Sequence, residues 1–193
     1  MDILKYSQQI QETAKEILDK SQLIQLWEEI GAEVYLIGST KTGLLIHKDI
    51  DIHIYTEKVS IQESFLVMAK LAEQLNITDI IYKNGIETEE ECIEWHALFE
   101  DKNKERWKVD IIHIRKGSKF DGVVERVTDT IANKLTPELR QTILQIKYDM
   151  PKDALIPGIE VYHAVFTGNI KTYEELLQWR VTNPLTDSLG WMP

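Results

Sequence analysis

The segment Asp49–Thr56, "DIDIHIYT", alternates with the two-residue period of a β-strand. Ile50, Ile52 and Ile54 fall on one face, and Asp49, Asp51 and His53 on the other. One face therefore demands an apolar layer beneath it, and the other brings two carboxylates into one small volume. Ionised carboxylates that close repel each other, and one is expected to hold its proton unless a cation sits between them. A hard divalent cation such as Mg²⁺, which takes oxygen ligands, resolves the conflict. A solvent-facing acid pair on an edge strand would need no cation, so the flanking residues have to decide.

Upstream, "EVYLI" (33–37) is a short apolar strand that runs into Gly38-Ser39. Glycine lets a phosphate approach the backbone, and the serine hydroxyl with the following amides can donate to phosphate oxygens. A phosphate cradle next to metal-binding acids is the equipment for phosphoryl or nucleotidyl transfer. A third acid would complete a two-metal site. Asp110 in "KVDIIHI" interrupts an otherwise apolar strand, and a buried acid there needs a partner. Lys108 or a cation on a neighbouring strand is the alternative partner to a metal, and Glu94 on the partner strand is the fallback third acid.

The remaining chain alternates, then turns helical. Residues 2–19 carry apolar positions at helical spacing, and Ser21 is expected to cap a second helix, "QLIQLWEEI", that Gly31 stops. Ser60 and Glu63 form a capping box before "SFLVMAKLAEQL". "ECIEWHALFE" and "RWKVDIIHI", separated by "DKNKE", predict a β-hairpin. Beyond Gly117, helices are predicted at "DGVVERVTDTIANKL", after Thr136-Pro137, after Pro157 and after Thr172. The tail after Asn183 carries no clear signal. We expect an α/β half over 1–116 and a helical half over 117–193.

The combination "GSTKTGLLIHKDIDIHI" resembles the signature of the DNA polymerase beta-like nucleotidyltransferase superfamily, specifically its small antibiotic and minimal members. That signature is Gly-Ser, a spacer, Asp-x-Asp in a strand, and an acid on a later strand; the likeness covers roughly residues 20–116. It implies an α/β (α+β) nucleotidyltransferase fold, a short mixed sheet flanked by helices, followed by a C-terminal helical bundle. It implies that Gly38 and Ser39 hold the triphosphate of a nucleoside triphosphate, and that Asp49 and Asp51 bind two Mg²⁺ ions. Asp110 would bind the catalytic ion and help deprotonate the acceptor hydroxyl. The expected reaction moves AMP from ATP onto a small molecule such as an aminoglycoside or lincosamide. AMP transfer to a protein, as in antitoxin-type relatives, and a non-catalytic nucleotide-binding role are the alternatives.

Composition narrows the partners. The net charge of −10 opposes a polyphosphate backbone, so nucleic acid is not expected. No apolar run reaches the ~18 residues of a membrane span, no signal peptide opens the chain, and Cys92 is the single cysteine. A cytoplasmic protein is the expectation. His53, His96 and His113 are read as packing residues, each with one hydrogen bond, rather than metal ligands. Lys41, Lys48 and Lys147 could each touch phosphate but are read as solvated, Trp95, Trp107 and Trp179 as core or domain contacts, and Cys92 as a small strand residue.

Overall fold

A computed structural model describes residues 2–151, 153–186 and 191–193. Two helices open the chain. In α1 (Ile3–Ser21), Asp2 caps the first turn through Leu4 N–H and Lys5 N–H; α2 spans Leu23–Glu28. Ser21 is not the cap of α2. It closes α1, its hydroxyl bonded back to Leu18 O, and the chain turns at Gln22 in the left-handed region (φ 51°).

Then come β1 (Glu33–Leu36), a single helical turn α3 (Gly38–Thr42), β2 (Asp49–Thr56) and α4 (Ile61–Leu75), whose N-cap is Ser60 as the capping box predicted. The sheet is completed by β3 (Asp79–Gly85), β4 (Cys92–Glu100) and β5 (Arg106–Arg115). The spatial order is β1-β2-β5-β4-β3. Only the β2–β5 pair is parallel, so the sheet is mixed, as expected. Strand β3 escapes sequence reading because it is an edge strand, exposed along most of both faces, and "DIIYKNG" has no two-residue rhythm.

Ile50, Ile52 and Ile54 of β2, Trp95 and Phe99 of β4, and Trp107, Val109 and Ile111 of β5 pack against α1, α2 and α4. This layer fills one face of the sheet, so the acids project from the opposite face. Helices α5 (Val123–Lys134), α6 (Pro137–Asp149), α7 (Gly158–Gly168) and α8 (Tyr173–Thr182) follow. They form a second core that takes in Ile3, Leu44 and Ile46 from the first half of the chain. Of the tail, residues 187–190 lie outside the described residues, while Trp191 packs on His163.

Truncation of the sheet core should cost far more than loss of a cap. Ile52→Ala, at a fully buried site, is expected to lower stability by about 2–5 kcal/mol. Ser60→Ala should cost about 1 kcal/mol. Chemical denaturation of both variants checks the ordering, and equal losses would contradict the placement of β2 over the core.

Candidate active site

Parallel pairing of β2 with β5 sets Asp51 beside Asp110 and Asp49 beside Lys108. All four side chains project from the face that the core leaves open. One carboxylate oxygen from each of Asp49, Asp51 and Asp110 lies within 4.8 Å of the others. The three acids singled out in the sequence therefore form one cluster.

The Gly38-Ser39 turn is built against this cluster. Thr40, buried in α3, accepts from Asp51 N–H (3.3 Å) and donates to Asp49 O (3.4 Å), which ties the turn to the strand between the two acids. Gly38 sits at φ +55°, and a Cβ there would stand 3.0 Å from Asp51 Oδ2. Any side chain at 38 would thus be strained and would press on a site carboxylate. The helical half holds the same turn from the other side. Gly38 N–H donates to Thr128 Oγ1 on α5 (3.3 Å), and Ser39 Oγ shares a hydrogen bond with Tyr162 on α7 (2.9 Å).

Lys147 corrects the sequence reading. Far from being solvated, it is buried, and its ammonium donates to Ser39 Oγ (2.8 Å) and Leu44 O (2.7 Å). The signal was its place on α6, four residues after buried Ile143, on the apolar stripe. Lys41 is exposed and Lys48 half-buried, paired with Asp129 (3.7 Å) and Glu105 (2.6 Å) respectively.

His96 also exceeds the role expected of it. Its Nδ1 lies 2.7 Å from Asp110 Oδ1 and its Nε2 3.1 Å from Glu94 Oε2. Glu94 is thereby one histidine removed from the cluster, with Lys83 at 2.8 Å. His53 meets Glu125 and Tyr55, and His113 bonds Thr56 through Nε2. Burial holds the His113 ring down to about 4, so it is neutral. Trp95 and Trp107 are core residues, and Trp179 packs on His163. Burial, then Glu90 and Glu94, push the Cys92 thiol up to about 11, which keeps it an unreactive thiol.

Two cavities meet at Ser39, Asp51 and Gly158. The larger, about 400 Å³, is polar and includes Asp49, His47 and Lys147. The smaller, about 240 Å³, is walled by Val124, Val127, Ile131 and Ile159. A 600 Å³ groove between α1, α4 and the β4–β5 turn is roomier, but it lies away from the acids.

Crowding shows in the acids' proton affinities. Burial, then Asp49 and Asp110, pushes Asp51 up to about 7; burial and Asp110 raise Asp49, against the pull of Lys108. The donor set fits a hard divalent cation on three counts. All donors are carboxylate oxygens, and Asp49 Oδ1 is buried without a hydrogen-bond partner among the described residues. Third, the Lys108 ammonium already stands between Asp49 Oδ2 (3.3 Å) and Asp110 Oδ2 (2.7 Å).

Residues 14–131, more than half of the chain, match the nucleotidyltransferase domain family. The chain belongs to that family, and its fold is the one the polymerase beta-like resemblance implied. Among solved structures it is similar to a mutant Cid1 poly(U) polymerase bound to MgATP (TM-score 0.51, 13% identity, covering 86% of this chain and 52% of that one). It is also similar to a further Cid1 poly(U) polymerase structure (TM-score 0.50, 12% identity, 88% and 56%). This chain spans about half the length of those structures. At such identities the likeness is one of fold. No curated protein matches the chain. Because these neighbours are poly(U) polymerases, the expectation against nucleic acid finds no support in them. No helix among the described residues is long and apolar enough to cross a membrane.

The raised Asp51 carboxyl sets a pH dependence. In the metal-free protein the folded state keeps a proton that the unfolded chain, near 3.9, has lost, so the site's stability falls as pH rises from about 4 to about 7. His113 works oppositely, so the comparison must be with a variant. Asp51→Asn, denatured in EDTA at about pH 5 and about pH 7.5, should gain stability over wild type at the higher pH. A difference that does not change with pH would contradict the crowded-acid geometry.

Proposed function

We propose that this chain is a metal-dependent nucleotidyltransferase that moves a nucleoside monophosphate, AMP from ATP, onto the hydroxyl of a small molecule such as an aminoglycoside or lincosamide. The observation that carries this reading is the convergence of three carboxylates beside the Gly38-Ser39 turn. Asp49, Asp51 and Asp110 would hold two Mg²⁺ ions, which when bound would offset charge on the triphosphate and sharpen the acceptor oxygen as a nucleophile.

The chain's own groups do the rest. Gly38, bare of a side chain, lets the Asp51 carboxylate stand directly against the turn. Ser39 supplies a donor to phosphate oxygens, and the buried Lys147 ammonium behind it brings positive charge to the turn. The apolar cavity along α5 and α7 suits a nucleoside, and the polar one a triphosphate. Asp110, oriented by His96 through Oδ1, is the base that takes the acceptor's proton. The acceptor oxygen then bonds to the α-phosphorus and pyrophosphate leaves. The division into 1–116 and 117–193 belongs to this reading, with the nucleotide seated between the two halves.

A second reading takes the 3′ hydroxyl of RNA as acceptor, since the fold neighbours are poly(U) polymerases. The chemistry at the acids is unchanged, while the net charge of −10 weighs against a long polyanion. A protein hydroxyl is the third acceptor class. Pyrophosphate release with Mg²⁺-ATP or Mg²⁺-UTP, tested against aminoglycosides, lincosamides, a short RNA and lysate protein, decides among them. Asp110→Asn should keep most nucleotide affinity, because Asp49 and Asp51 remain, and lose at least about a hundredfold in turnover. A folded variant with wild-type turnover would remove Asp110 from the chemistry.

A further inference from the structure

The two oxygens of Asp110 are held with unequal firmness. Oδ1 faces Nδ1 of His96, which is Asp110's direct partner across the β4–β5 pair. The other ring nitrogen of His96 is engaged by Glu94, so the planar ring is pinned at both ends on a paired strand. Oδ2 faces Lys108, whose ammonium also reaches Asp49. Lys108 extends on a flexible four-carbon stem and its side chain is 39% exposed. Among the described residues no other lysine or arginine pairs with these three acids. Lys147 is committed to Ser39 and Leu44 O, Lys83 to Glu94 and Lys48 to Glu105.

We propose that Lys108 is the resident counter-ion of the acid cluster: its ammonium bridges Asp49 and Asp110, competes with a bare divalent ion for their Oδ2 atoms, and withdraws when a metal-bearing triphosphate arrives. The inference rests on the nucleotidyltransferase reading of the site. Its physical basis is charge balance. Carboxylates converged within 4.8 Å are stabilised by a nearby positive charge, and in the metal-free chain Lys108 supplies it. A divalent ion entering alone would meet that ammonium as a like charge. A triphosphate changes the balance, because its oxygens offer the displaced ammonium new acceptors. Lys108 thereby couples metal loading to nucleotide binding, and His96, which stays, fixes which oxygen of Asp110 is given up.

Mn²⁺ serves as the probe. Metal-free protein is titrated with Mn²⁺ alone, free ion being read by electron paramagnetic resonance, and then again with a non-hydrolysable ATP analogue present. Lys108→Met should bind Mn²⁺ alone at least about tenfold more tightly than wild type. With the analogue present the two proteins should converge. In EDTA, Lys108→Met should melt below wild type, and Mn²⁺ should close the gap. Lys108→Arg, which keeps the charge, should bind Mn²⁺ as wild type does. Lys108→Gln carries the same expectation as the methionine variant if the latter is insoluble. Equal or weaker Mn²⁺ binding by Lys108→Met, with wild type binding normally beside the analogue, would overturn the proposal and leave the site reading intact. Absence of Mn²⁺ binding in every protein, with and without the analogue, would overturn both.

Discussion

Three carboxyl groups gathered on one face of a sheet are the constraint around which this chain is arranged. Their convergence follows from the parallel β2–β5 pair, which sets Asp51 against Asp110 and leaves Asp49 one same-face step away. A slip of one residue would turn the acids into the isoleucine layer, and that is what makes the register robust. Ile50, Ile52 and Ile54 bury one face so completely that the other has no choice of residues to present. The core therefore positions the site, and the repulsion it imposes is offset by Lys108.

The turn after β1 reaches the same acids from a second direction. Thr40 hydrogen-bonds the strand between Asp49 and Asp51, and Gly38 has no side chain because Asp51 occupies the space one would need. The helical half is bound into this arrangement: Thr128, Lys147 and Tyr162, on three different helices, each contact Gly38 or Ser39. Sheet and helices meet at the dipeptide, and the two cavities open on either side of it. A ligand seated there would contact both halves.

Much of this was legible in the sequence, for reasons that differ by element. The alternation of "DIDIHIYT" gave β2 and its two faces, and the capping boxes at Ser60 and Thr172 gave helix starts, because both signals are local. Asp110 stood out as an acid in an apolar strand. His96 was within reach as well, since a hairpin centred on Asn103 sets it opposite Asp110. Lys147 was misjudged because its partners, Ser39 Oγ and Leu44 O, are about a hundred residues away, and only its place on a buried stripe hinted at them. The edge strand β3 and the end of α1 at Ser21 were missed because neither leaves a periodic pattern.

The central claim is that Asp49, Asp51 and Asp110 form a divalent-metal site that faces a triphosphate on Gly38-Ser39. Anomalous scattering from crystals grown with Mn²⁺ and a non-hydrolysable ATP analogue tests it most directly. Two manganese peaks about 4 Å apart are expected, both ligated by Asp49 and Asp51 and one also by Asp110, with phosphate oxygens at the Gly38-Ser39 turn. Manganese found instead at the Glu90, Cys92 and Glu94 group, or a triphosphate bound away from Gly38-Ser39 with the three acids metal-free, would contradict it.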